Sequence, residues 1–151
     1  MPCEPRLRIW YDDKNKPVDY KLRCEGKCTN KAGKETDCGE QIVGSGPQGK
    51  SETHFCGCDK DMEPKGCQIY YTKDSDGEVT PHCGDCLDNN GNKDPNKKCV
   101  FKRANEKSEV PIPDSKGRYR GKLGRIIDWK CDCVAKDDPF EPEDPKNPKK
   151  D

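Results

Sequence analysis

Cys83 and Cys86 are spaced C-x-x-C. That spacing suits a redox dithiol, in which one thiolate is attacked by its neighbour, and also half of a tetrahedral zinc site. Nearby, Asp74-Ser75-Asp76-Gly77-Glu78 and Asp88-Asn89-Asn90-Gly91-Asn92-Lys93-Asp94 carry side-chain oxygens of the kind calcium accepts. Each of these chemistries can be weighed against an earlier part of the same chain, because the segment has a counterpart near the N-terminus.

The counterpart begins at Cys3. Ile9-Trp10-Tyr11 aligns with Ile69-Tyr70-Tyr71, Val18 with Val79, and Cys24 and Cys28 with Cys83 and Cys86. A polar loop then leads to Cys38 or Cys99, and a second loop to a C-x-C at Cys56 and Cys58 or at Cys131 and Cys133. Both halves therefore hold six cysteines in one order, with 20, 3, 9, 17 and 1 residues between them in the first and 15, 2, 12, 31 and 1 in the second. Cysteines and β-forming residues recur while the loops vary, which is the pattern of a duplicated small unit.

The duplication weakens the three chemistries. The first copy has three residues between its close pair, CEGKC, a change that a structural pair tolerates better than a redox dithiol. Six cysteines fill three disulfides, whereas one four-thiolate zinc site per unit would strand two thiols. His54 and His82, the only histidines, fall at non-equivalent places and are expected to be exposed or half-buried rather than ligands. Lysines stand among the first copy's would-be calcium ligands (Asp12-Asp13-Lys14-Asn15-Lys16-Pro17), so both acidic segments read as hairpin turns. The Asp88 to Asp94 run, which lacks the closing Glu of an EF-hand loop, reads as a loop. No metal or other cofactor is expected.

The elements that must position all this are short strands. Only 28% of residues are hydrophobic and 38% are charged, so a large apolar core is excluded and covalent staples are required. The expected fold is small, disulfide-rich and mainly β, built as two tandem six-cysteine units of antiparallel strands and hairpins with long loops. Residues 1–62 form the first unit, 63–136 the second, and 137–151 a disordered tail rich in proline and charge, dispensable for folding. Fragments ending near Lys60 or beginning near Glu63 are expected to fold alone. The apolar run Leu123 to Trp129 is too short for a helix and reads as a strand.

Twelve cysteines, all disulfide-forming in this reading, point to an oxidising compartment and a secreted or extracellular protein. The N-terminal residues lack the apolar stretch of a signal peptide, and no membrane span is expected. Should Met1 be the natural start, a zinc-binding intracellular module becomes the alternative. Formal charge is zero overall, but Lys116-Gly117-Arg118-Tyr119-Arg120-Gly121-Lys122-Leu123-Gly124-Arg125 holds five basic residues and no acidic one. The candidate binding residues are Lys116, Arg118, Tyr119, Arg120, Lys122 and Arg125, suited to sulfate, phosphate or carboxylate groups because arginine binds them bidentately. The bland reading of the same residues is a solvated hairpin whose charges keep an edge strand from aggregating. No nucleophile-and-base signature is present, so an enzyme is not expected. The preferred function is binding, with a protein or an anionic polysaccharide as partner and nucleic acid less favoured. A protease inhibitor presenting Arg118 or Arg120 is a further alternative.

Overall fold

The computed structural model describes residues 3–43, 52–73, 75–113 and 116–150, without the side chains of Val43 and Arg120. Met1, Asp74, the Gly44 to Lys50 loop that is the counterpart of the basic segment, and Asp151 at the end of the tail lie outside the described residues. Among the described residues ten strands form: β1 Glu4–Tyr11, β2 Pro17–Glu25, β3 Lys27–Thr29, β4 Glu35–Asp37, β5 Gly39–Val43, β6 Glu52–Gly57, β7 Gly66–Lys73, β8 Val79–Leu87, β9 Lys97–Pro113 and β10 Tyr119–Ala135. The described residues contain no helix, so the protein is mainly β.

β1 shows why these segments are strands. In EPRLRIWY every second residue, Pro5, Leu7, Ile9 and Tyr11, is buried while the residues between are half-buried, the period of two that a strand with one inward face requires. The turns follow one recipe. Asp12, Asn30 and Asp88 each accept two backbone N–H groups on the side-chain oxygen, from residues two and four positions on. The fourth residue of each turn, Asn15, Gly33 or Gly91, takes a positive φ. This is a tight turn closed by a left-handed residue.

β1, β2, β9 and β10 form one four-stranded sheet in the order β2-β1-β10-β9, and β5 to β8 form a second in the order β5-β6-β7-β8. β3 and β4 make a separate two-stranded ribbon. All the pairings are antiparallel. Each large sheet therefore joins a hairpin from residues before 62 to a hairpin from residues after it: β1 pairs with β10, and β6 with β7. Leu7, Ile9, Tyr11, Ile127, Trp129 and Phe101 from the first sheet meet Cys67, Ile69 and Cys86 from the second in a single core. The register places Pro5 opposite Cys24 and Ile69 opposite Cys83. In space, then, the residue corresponding to Ile69 is Pro5, not Ile9 as the alignment of sequences suggests, because the first hairpin is longer.

All twelve cysteines are paired: Cys3–Cys38, Cys24–Cys56, Cys28–Cys58, Cys67–Cys99, Cys83–Cys131 and Cys86–Cys133. Both six-cysteine segments use the same connectivity, first to fourth, second to fifth and third to sixth. Because the head and tail hairpins of a segment lie in different sheets, Cys24–Cys56, Cys67–Cys99, Cys83–Cys131 and Cys86–Cys133 each tie one sheet to the other. In small secreted domains each such bond contributes about 2–5 kcal/mol.

Residues 137–150 are not a free tail, contrary to the expectation from composition. Pro145 and Pro148 are buried, and the strap's carbonyls are read by donors on the body. The Tyr11 hydroxyl donates to the Pro145 carbonyl at 2.6 Å and accepts from Trp129 Nε1 at 2.8 Å. Asn15 Nδ2 donates to the Pro148 carbonyl at 2.6 Å, and Arg103 and Arg125 both donate to that of Lys149. Arg103 also pairs with Glu143, Lys146 with Glu78 just before β8, and Lys102 lies 4.9 Å over the Phe140 ring. Burial pushes the Tyr11 phenol up from its ordinary value, so the hydroxyl stays a donor. Composition hid the strap because its apolar surface is proline ring and its polar partners lie more than 20 residues away.

A chain ending at Lys136 is accordingly expected to melt lower. Truncation removes the hydrogen bonds of Tyr11, Asn15 and Arg125 to the strap, each worth about 0.5–1.5 kcal/mol, and with the loss of proline burial the fall should be roughly 5–10 °C, taking about 2–4 °C per kcal/mol at this size. Thermal unfolding followed by circular dichroism tests this; a melting temperature within about 2 °C of the full chain would show that the strap contributes nothing.

Candidate functional site

β9 and β10 are each 17 residues long, far longer than β1, which covers β10 only as far as Tyr11 opposite Arg125. Beyond that point the hairpin continues as a two-stranded ribbon, with Gly124 opposite Val110, Leu123 opposite Pro111 and Tyr119 opposite Pro113. Tyr119 and Leu123 are four residues apart and their partners only two, so β10 carries two extra residues here. Such a bulge bends and twists a strand. Gly117 and Gly121 take positive φ, a conformation that glycine adopts without steric penalty. Pro111 and Pro113 have no N–H to offer another strand, which protects the edge.

Four of the six residues singled out from the sequence lie together on this ribbon and are exposed: Lys116, Arg118, Tyr119 and Lys122. Tyr119 is 58% exposed and Leu123 47%, so the tip also offers apolar surface. Arg120 shares the bulge, although its side chain is outside the described residues. Arg125 stands apart. Its side chain is 13% exposed and pairs with Glu106, and it donates to Asn15 Oδ1 at 2.7 Å and to the Lys149 carbonyl, with the guanidinium 5.7 Å over the Tyr11 ring. Arg125 therefore holds the strap, a role its place in a run of basic residues does not suggest. At the root of the ribbon a cleft of about 290 Å³ is lined by Asp12, Asp13, Glu109, Arg125 and Lys150 among others. Its lining carries charges of both signs.

The cysteines and histidines are held by partners elsewhere in the fold. Cys83 is bonded to Cys131 and Cys86 to Cys133, so the C-x-x-C is two halves of different staples and not a redox dithiol. His54 is buried, at 7% exposure, and not exposed or half-buried as its polar neighbours suggest. Its Nδ1 lies 2.5 Å from Glu40 Oε1, its Nε2 lies 3.4 Å from Glu52, and its ring meets Tyr71 edge-on. His82 is half-buried, stacks on Tyr70 and is within 2.7 Å of Thr72 Oγ1; burial lowers its pKa. The described groups within ion-pair distance of His54 are the carboxylates of Glu40 and Glu52, which fix the orientation of its ring.

Fold and site together define a small, disulfide-stapled, two-sheet β protein that carries a cationic ribbon on a rigid body. Compared with protein-family models, with curated proteins and with solved structures, the chain matches none. Six disulfides in so short a chain are typical of proteins from oxidising, extracellular surroundings.

Proposed function

We propose that this is a secreted binding protein whose β9–β10 tip recognises an anionic polysaccharide. The observation that carries the reading is the ribbon itself: among the described residues, a hairpin extended past its sheet, with Lys116, Arg118, Tyr119 and Lys122 exposed on one short segment. Guanidinium and ammonium groups match sulfate and carboxylate groups, the arginines bidentately, and Tyr119 supplies an amphipathic ring of the kind enriched at contacts. Six staples hold the body rigid, which lowers the ordering cost on binding.

The test uses the full chain and a sulfated polysaccharide at low and moderate salt. Binding is expected to weaken with salt, since exposed charges are screened within about 10 Å at 0.1 M. Changing Lys116, Arg118 and Lys122 together to Ser should weaken it by roughly tenfold or more at low salt, at about 0.5–1 kcal/mol per exposed charge. The melting temperature should hold, because exposed substitutions usually cost under about 0.5 kcal/mol each. Unaltered affinity in the triple variant would remove the tip from the binding surface.

A further inference from the structure

Cys67 and Cys86 lie directly opposite each other across β7 and β8, and Cys99 and Cys133 directly opposite across β9 and β10. The two pairs face one another between the sheets, so their disulfides, Cys67–Cys99 and Cys86–Cys133, are neighbours. The Sγ atoms of Cys67 and Cys133, which are not bonded to each other, are 3.3 Å apart, and all four Sγ atoms lie within 4.8 Å of one another. We infer that this quartet is a redox-convertible metal site: two disulfides when oxidised, a four-thiolate zinc centre when reduced.

The geometry suits the ion. Zinc takes four thiolates tetrahedrally at about 2.3 Å, which sets the sulfurs about 3.8 Å apart. Side-chain rotation can bring the quartet to that spacing, because the bonded pairs need only open and the others stay within the present 4.8 Å. The chemistry balances with a dithiol reductant. Two equivalents deliver four electrons and four protons, opening both disulfides to four thiols, and depart as cyclic disulfides. The thiols then release four protons to solvent as zinc takes four thiolates. A cleft of about 490 Å³ lined by Pro5, Lys65, Cys67, Leu87 and Cys133 among others gives the reductant access.

At this place the ion links the same four strands, β7 to β10, as the two disulfides it replaces. Among the described residues the other close group is Cys3, Cys28 and Cys38, one ligand short of a tetrahedral set. The site is therefore expected once per chain.

Cobalt(II) titration of the full chain tests this after anaerobic reduction by a water-soluble phosphine, which is oxidised to its oxide with oxygen from water. The expected result is one cobalt per chain with the absorption of a tetrahedral tetrathiolate. Affinity should fall by at least roughly 100-fold in a Cys86→Ser/Cys133→Ser variant, since four ligands carry the binding energy. It should be kept in Cys24→Ser/Cys56→Ser and in Cys28→Ser/Cys58→Ser, two independent controls in case one fails to fold. Absence of a tetrathiolate spectrum would overturn the inference. So would equal uptake by Cys86→Ser/Cys133→Ser and the parent, because thiols of an unfolded chain would then be the ligands.

Discussion

Neither half of the chain is expected to fold by itself when it is divided between Asp61 and Met62. Residues 1–61 keep the three disulfides of the first segment, but β1 loses β10 and β6 loses β7. Leu7, Ile9 and Tyr11, each fully buried, would lose Ile127, Trp129 and Phe101 as neighbours. Fully burying a large apolar side chain is worth about 1.5–3 kcal/mol, so uncovering three of them in one half costs about 4.5–9 kcal/mol, comparable with the roughly 5–15 kcal/mol by which a domain is ordinarily stable. The second half suffers the same loss from the other side. Staples constrain the unfolded chain but do not replace a sheet partner. Each half, oxidised and purified, should show collapsed amide dispersion in its proton–nitrogen NMR spectrum, and mixing the two should restore the native pattern. A dispersed spectrum from residues 1–61 alone would mean that the shared sheets are not what holds the fold.

Gly124→Ala is expected to be the most damaging conservative substitution in the ribbon. A Cβ at Gly124 would lie 1.9 Å from the Tyr11 carbonyl oxygen and 2.6 Å from Ile112 Cγ1. The first of these is backbone, so no rotamer change relieves it; either β1 or β10 must move where β1 ends and the free ribbon begins. Overpacking a well-filled site costs about 1–3 kcal/mol and occasionally more, and a backbone clash belongs at the upper end. The melting temperature should fall by roughly 10 °C, at about 2–4 °C per kcal/mol. Gly39→Ala is the control, because its Cβ would meet nothing closer than 3.9 Å. Equal melting of the two variants would show that β1 and β10 are not in close contact at this point. The same substitution should loosen the strap, since Tyr11 also binds Pro145.

The arrangement gives each part of the molecule a distinct task. The shared sheets and their cross-sheet disulfides make one rigid body out of two copies of a six-cysteine pattern. Arg103, Arg125, Tyr11 and Asn15 hold the C-terminal strap against that body. The ribbon beyond Tyr11 carries the exposed Lys116, Arg118 and Lys122, and the cysteine quartet lies at a separate place between the sheets.

Local physics made much of this legible in the sequence. Alternating apolar residues in β1, the Asx and glycine turns, and six cysteines repeated in one order lead directly to a stapled β fold, because strand period and turn chemistry are properties of a few consecutive residues. The exposed basic segment is legible for the same reason. Which strands pair is another matter: a period of two specifies an inward face but no neighbour, and β1 is as able to pair with β6 as with β10 until the core and the disulfides choose. Connectivity, the sharing of both sheets, the separation of Arg125 from its basic neighbours and the docking of residues 137–150 all depend on groups far apart in the chain. Only the tertiary structure brings those groups together, so only it decides them.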